Sequence, residues 1–425
     1  MSLPHPQSLY VDTTPPSPAF PAFAGQGSAD VAVIGGGIAG LSCALHLAER
    51  GVNVAVLEAN DIGWGASGRN GGQVNPGLKL SPRALEAAFG PEQGARLIAL
   101  GAEGPALVFR LIERLGIDCA ATRKGTLRAV KSERQGALAR ALAEDYAGRG
   151  APVRYLDADA VAAMTGTRQY HGALFDARGG AINPLAYTRG LARAAAQSGA
   201  TIYTDSPVTG LTRTGEGWSL ATPRGTLAAR HVALCANAYQ GGLVPGLARS
   251  QVPVYSMITA TAPLPDALRA AVMPSGAMLY EQANITVYYR VDETGRLLMG
   301  GRSPSREIVH RDTAFLRTYA EHLWPSLRGV AWTHDWNGQL AITTDHMPHI
   351  HEPAPGLTAL LGCNGRGVAL MTVLGQRLAA RIASGDVEEL VLSPTPVRPI
   401  PFHSFWKLGV TLRVAYGRAK DRLQP

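Results

Sequence analysis

The sequence predicts an α/β fold in which a parallel sheet of βαβ units is interleaved with a second, β-rich α+β domain. Three observations carry that expectation. A strand, a glycine-rich turn, a helix and a second strand follow one another within residues 30–58. A helix and a strand repeat the pattern at 185–204, and between about 250 and 302 the signal changes to strands alone. Parallel strands need a crossover connection, usually a helix, and the first two segments supply one each. At 425 residues the chain is longer than one hydrophobic core serves, so two interwoven domains are expected.

In chain order, residues 1–28 hold Pro15, Pro16, Pro18 and Pro21 but no cationic start with an apolar run behind it; they are expected to be a flexible arm, not a signal peptide. DVAVI at 30–34 is apolar, β-branched and followed at once by glycines, as a buried strand is. From Ile38, the apolar residues Leu41, Leu45 and Ala48 recur at helical spacing until Arg50-Gly51 ends the run, and VNVAVLE at 52–58 is the next strand. LAYTRGLARAAAQSGA, from Leu185, reads as a helix closing on Gly199, with TIYTD as the strand after it. Residues 217–236 alternate like paired strands. VPVYSMITA, ITVYYRVD and RLLMGG are strands bounded by turn residues, and 310–325 and 368–384 have helical periodicity. The βαβ domain is accordingly assigned residues 29–80, 151–245 and 334–390. Residues 81–150 and 246–333 are assigned to the second domain and its connecting helices. The tail, 391–425, is Pro-rich and then basic and amphipathic; it is expected to dock on its own domain and not in a membrane interface.

Composition excludes several classes. Hydrophobic residues at 46% and charged ones at 17% suit a globular protein with a large core. The formal charge is +8, yet Arg is scattered without a basic run and no nucleic-acid reader motif is present, so nucleic acid is not an expected partner. Cys43, Cys119, Cys235 and Cys363 lie far apart with no CxxC pair, which argues against metal or disulfides and for reduced thiols in a cytoplasmic protein. No stretch of about 18 apolar residues is free of charge, so no membrane span is expected.

The chemistry begins at Gly35-Gly36-Gly37-Ile38-Ala39-Gly40, a G-x-G-x-x-G between strand and helix that marks the first domain as Rossmann-like. Gly35 permits the tight turn, Gly37 lets backbone approach a pyrophosphate, and Gly40 lets helix and strand pack closely. The phosphate would sit at the helix amino terminus, where free N–H groups favour an anion. Glu58 ends the second strand 18 residues beyond Gly40, placed to hold ribose hydroxyls. Beyond Ala59 comes Ile62-Gly63-Trp64-Gly65-Ala66-Ser67-Gly68-Arg69-Asn70-Gly71-Gly72-Gln73. A run so poor in packing side chains must let its backbone approach something closely, which an extended dinucleotide explains and a plain nicotinamide fold does not require.

Those two motifs, together with GGAINPLAYTRGL at 179–191 and LGCNGRGVAL at 361–370, resemble the D-amino-acid-oxidase-like superfamily of FAD-dependent oxidoreductases. Within it the likeness is to the gamma-glutamylputrescine oxidase and glycine or sarcosine oxidase branch, over roughly residues 29–385. The resemblance implies FAD bound in extended form and oxidation of a carbon–nitrogen bond on one flavin face. Residue by residue, it places Ala66, Ser67, Arg69, Asn70, Gly71, Gly72 and Gln73 beside the pyrophosphate and flavin. Val208, in a strand after Pro207, would contact adenine through its backbone, and Ala236 would form a second cofactor-facing turn. Gly362, Gly365, Arg366, Gly367 and Val368 would bring a helix amino terminus to the flavin pyrimidine edge. Family members with a covalent cysteinyl flavin carry Cys where this chain has Trp336-Asn337-Gly338-Gln339, so Gly338 is assigned to the cofactor and FAD is expected to be non-covalent. The family's His in GHG is Arg366 here, which either stabilises flavin charge or pairs with a surface acid.

In such a reaction hydride leaves the α-carbon for the flavin, giving an imine and then an aldehyde or keto product. No dedicated base is required, so the substrate side is harder to read. The candidates are Tyr255, Tyr288, Arg290 and Arg302, besides Arg366; alternation puts Tyr288 and Arg290 on one face and Tyr289 on the other. Arg290 or Arg302 would hold a carboxylate bidentately, or else each serves in an ordinary ion pair on the sheet. A carboxylate-bearing small amine is the expected substrate, with O2 or another acceptor left open. His334, His346, His349 and His351 flank prolines in a loop and are read as structural, with no metal site. Two other classes remain: an FAD-dependent tRNA-modification domain, suggested by the basic charge, and a flavin subunit passing electrons to a partner.

Overall fold

The computed structural model describes residues 3–215 and 217–423, and two eight-stranded sheets organise them. The first runs His349–Ala354, Leu357–Leu361, Gly225–Leu234, Gly25–Ile34, Val54–Leu57, Thr201–Tyr203, with the strands Gly210–Thr214 and Gly217–Thr222 added beside Gly225–Leu234. Its central pairings are parallel, Val31 opposite Val54 and Val232 opposite Leu357. Helices Ile38–Ala48, Pro184–Gln197 and Gly367–Ser384 pack on this sheet. The helix Ile38–Ala48 is buried at every position, because it lies between the sheet and Gly367–Ser384; a Cβ on Gly375 would lie 2.8 Å from Cβ of Ser42. This is why its sequence is apolar nearly all round.

The second sheet runs Trp332–Ile342, Val252–Thr261, Leu297–Arg302, Tyr288–Val291, Met278–Glu281, Thr126–Val130, Gly172–Asp176, Val153–Asp157. It is antiparallel except where Met278–Glu281 lies parallel to Thr126–Val130. Tyr289 points into this domain's own core, while Tyr288 and Arg290 point the other way, as the alternation predicts.

The sheets divide the chain differently from the sequence assignment. Strands Val153–Asp157 and Gly172–Asp176, placed with the βαβ domain, pair in the second sheet, and so does Trp332–Ile342. Strand character is local, but the choice of sheet is made by the partner strand, Thr126–Val130 for Gly172–Asp176 and Val252–Thr261 for Trp332–Ile342. The amino-terminal arm is also corrected: it is packed. Residues Leu9–Thr13 form a short helix whose Leu9 and Tyr10 are buried, with Tyr10 edge-on to Trp336 at 5.2 Å. Phe23 is buried too, and the first strand starts at Gly25. The prolines had hidden these apolar anchors. The tail ends in a helix, Trp406–Leu423, docked on the second domain through Asp421, which accepts from Asn284 N (3.0 Å), Asn284 Nδ2 (2.7 Å) and Ile285 N (2.9 Å). Among the described residues no helix is long and apolar enough to cross a membrane.

Candidate active site

At the edge of the first sheet the three glycines act by three different means. Gly35 has φ +112°, in the region that favours glycine, and a Cβ there would lie 3.1 Å from Cys235 O. A Cβ on Gly40 would collide with Gly35 O, so Gly40 serves packing and does not itself reach the cavity. Gly37 caps the helix without a side chain, leaving the helix amino terminus open to a cleft. Glu58 is half-buried where strand Val54–Leu57 ends. Its carboxylate accepts from Gly36 N at 2.7 Å and from Asn60 N at 2.9 Å, and burial pushes its pKa up. Ser67 accepts from Ile38 N at 3.0 Å, tying the following loop to the same helix end.

That loop is wedged between the two sheets. Asn70 holds it from inside, donating to Ala66 O (3.1 Å) and Ser67 O (2.9 Å) while its own oxygen accepts from Gly72 N (2.9 Å). Gly71 lies against Tyr288, whose ring a Cβ would approach to 2.7 Å, and Gly72, at φ +69°, lies against Ile182 O. Arg69 lies over Trp64 at 4.3 Å, and Trp64 meets Tyr239 edge-on. Across the cleft, the helix Gly367–Ser384 begins at an uncapped Arg366, so a second helix amino terminus faces the same space.

The space is a cavity of about 910 Å³. Its walls include Gly35, Gly37, Ile38, Ala39, Glu58, Ala59, Ala66, Ser67, Arg69, Asn70, Gly71 and Gln73, and on the far side Val208, Ala236, Gly338, Gly365, Gly367 and Val368. Of the sequence candidates, Gly40, Gly72, Gly362 and Arg366 do not line it. Gly362 shapes the turn behind it, with its N–H bonded to Asn237 Oδ1 at 3.1 Å. Val208 lies in a loop and not in a strand. Sequence reading missed the segment 237–243, including Asn237 and Tyr239; its only signal was the Gly241-Gly242 pair.

A second cavity, about 1,090 Å³, adjoins the first and shares Gln73, Asn75, Ser256, Tyr288, Leu340 and Gly365 with it. Tyr288 stands at the junction. Its hydroxyl meets Ser256 Oγ at 2.9 Å, and burial pushes its pKa up to about 12, so it stays protonated. Arg302 and Arg366 line the second cavity, together with Lys79, Arg128 and part of the tail helix, none of which the sequence had singled out for the site. Arg366 belongs here by contact as well: it donates to Pro76 O and, at 3.3 Å, to Tyr280 OH, and no acid pairs with it. Two candidates fall away. Arg290 is buried and spent on structure, donating to Gly71 O (2.9 Å), Ile182 O (3.2 Å) and Tyr10 OH (3.4 Å). Tyr255 donates to Gln339 at 3.3 Å and lines neither cavity. Of the four histidines, His349 and His351 stack with ring centroids 5.6 Å apart, His349 also meeting Asp345, while His334 lies on Asp12. Among the described residues no group of three or more His, Cys, Asp or Glu is placed to hold a metal ion.

A cavity with a helix amino terminus at each of two walls, a glycine cradle and a half-buried carboxylate at the end of the second strand fits a dinucleotide flavin. Fold and site thus define a flavin-dependent oxidoreductase. Sequence comparison agrees: the family described as FAD dependent oxidoreductase (DAO) matches residues 30–381, and the chain belongs to it. It is 33% identical over 413 residues to gamma-glutamylputrescine oxidoreductase of Escherichia coli, covering 93% of each chain. It is also 33% identical to the probable oxidoreductase OrdL of Rhizobium meliloti, over 91% of this chain and 90% of that one. The crystal structure of glycine oxidase from Geobacillus kaustophilus superposes with a TM-score of 0.72 at 25% identity, covering 87% of this chain and 99% of that chain.

Proposed function

We propose that the protein oxidises the carbon–nitrogen bond of a small amine or amino acid carrying a carboxylate, giving an imine that hydrolyses to an aldehyde or keto acid. The carrying observation is the second cavity, which opens onto the flavin slot at Tyr288 and Ser256 and presents Arg302 without an acid partner. Bound FAD would supply the hydride acceptor. Arg302 would take the carboxylate in a bidentate contact, and Tyr288, fixed by Ser256, would orient the substrate across the junction. The relatives named above for gamma-glutamylputrescine and for glycine support an amine-bearing substrate. The tRNA-modification reading is not favoured, since the relatives matched over nine-tenths of the chain include gamma-glutamylputrescine oxidoreductase.

Anaerobic bleaching of the flavin by a panel of amines, N-methyl amino acids and gamma-glutamylated polyamines tests the reading. Carboxylated amines should bleach it. Arg302→Lys, which keeps the charge and loses the fork, should raise KM about tenfold or more while flavin content stays normal. Turnover confined to uncharged amines, with Arg302→Lys silent, would remove the carboxylate from the proposal.

A further inference from the structure

We propose that the second cavity also carries a site for a second carboxylate, formed by Lys79, Arg128 and Arg366, so that the preferred substrate is an amine with two acidic groups. This rests on the reading of that cavity as the substrate's and adds which substrates it favours.

The three side chains line the second cavity and not the flavin slot. They also surround a small recess of about 30 Å³, with Asn75 and Tyr280. A single water needs roughly 10–15 Å³ on this measure, so the recess has room for about two waters or the head of a carboxylate. Positive charge is in excess. Among the described residues six cations line the second cavity, of which Lys79, Arg413 and Lys420 are exposed, against two carboxylates, Glu281 and Asp421. Both acids are engaged elsewhere: Glu281 by Lys131 at 2.9 Å, by Tyr170 at 2.7 Å and by Tyr319, and Asp421 by the backbone and side chain at Asn284. Asp176, at the edge of the recess, is held by Arg178 at 2.6 Å.

The two guanidiniums are only partly satisfied: Arg366 donates to Pro76 O and Tyr280 OH. The Nε atoms of Arg128 and Arg366 are buried with no hydrogen-bond partner. Lys79 stands exposed at the cavity wall, where partial desolvation first, then the guanidiniums of Arg366, Arg302 and Arg128, lower its pKa to about 8. Like charges gathered in a confined space repel, and an anion bound among them relieves that cost. Arg302, beside Tyr288 at the flavin end, suits one carboxylate, and the recess suits another.

The test uses the full-length, FAD-loaded protein and a readout independent of turnover. Glutarate and butyrate, which carry two carboxylates and one and have no amine to oxidise, are titrated by calorimetry and by the flavin difference spectrum. Glutarate should bind about tenfold tighter or better, and Lys79→Met and Arg128→Gln should each cut that ratio below about threefold, with Lys79→Arg restoring it. Equal affinities in the wild type, or a ratio that survives both variants, would overturn the second site. Failure of every amine to reduce the flavin would instead defeat the amine reading, and the glutarate ratio would still report on the site.

Discussion

Glu58 shows how much one side chain does before any ligand binds. It pins the glycine turn through Gly36 N and its own strand end through Asn60 N, and it does so from a half-buried position that opposes its charge. Ribose hydroxyls would give the carboxylate further charge-assisted bonds, each worth about 1.5–3 kcal/mol. Glu58→Ala should therefore weaken FAD binding at least about tenfold, measured by flavin fluorescence on apo-protein. The pH dependence has a definite sign. A carboxyl with a raised pKa favours the folded apo-protein while protonated, and that contribution is lost as pH rises through the raised value. The ribose contact needs the ionised form, so FAD affinity should fall as pH drops through the same value, above the usual 4.5, and Glu58→Gln should abolish the dependence. Arg290 is the opposite lesson. Its position in the substrate domain suggested a carboxylate clamp, but three oxygens of the protein already occupy its donors. Arg290→Lys loses the fork that spans Gly71 and Ile182, so it should lower thermal stability and FAD retention together, and leave the KM of retained enzyme near wild type. An isolated rise in KM would return Arg290 to the substrate.

Among the elements, those of the first sheet were legible because their information is local. The run from Val31 through Gly40 to Glu58 contains its own strand, cradle and helix period, and the structure matches the helix and the second strand within two residues, while the first strand starts five residues earlier, at Gly25. The second sheet was legible as strands but not as a sheet: Thr126–Val130 and Met278–Glu281 pair across about half the domain's sequence, and nothing in either states its partner. Arg302 and Arg366 were found as residue types at motif ends. Lys79 and Arg128 were not, since a lone Lys in LKLSP becomes part of a site only when the fold brings Arg366 beside it. The tail was expected to dock through its apolar face, and it does so only in part: Trp406, Val410, Val414 and Asp421 line the second cavity, while Phe402, Phe405, Leu408 and Leu412 stay exposed. Truncation after Arg398 should lower the melting temperature and raise KM for carboxylated amines while FAD content is retained. Loss of FAD with unchanged KM would mean that the helix braces the first domain instead.

For the molecule as a whole, the two sheets enclose one continuous space whose halves differ in chemistry, a glycine-lined slot and a cationic chamber. Part of the +8 charge thus faces this space, where the fold brings together Arg128, Arg302 and Arg366 from distant parts of the sequence. Neither Trp336-Asn337-Gly338-Gln339 nor the loop Gly63–Gln73 offers a thiol or imidazole for a flavin bond. Acid precipitation should release FAD into the supernatant, and yellow colour retained in the pellet would show a covalent link.

The loop from Gly63 to Gln73 touches the slot on one side and the second sheet on the other, through Gly71 against Tyr288, Arg290 on Gly71 O and Gln73 on Leu279 O at 3.1 Å. A flavin seated beneath it would be held by both halves of the molecule, so its release would be coupled to their separation. The residence time of FAD is then a property of the scaffold's opening and not of the cofactor's contacts alone. Its loss should accelerate with temperature as steeply as unfolding does, about three- to sixfold per ten degrees, and Arg290→Lys should hasten it.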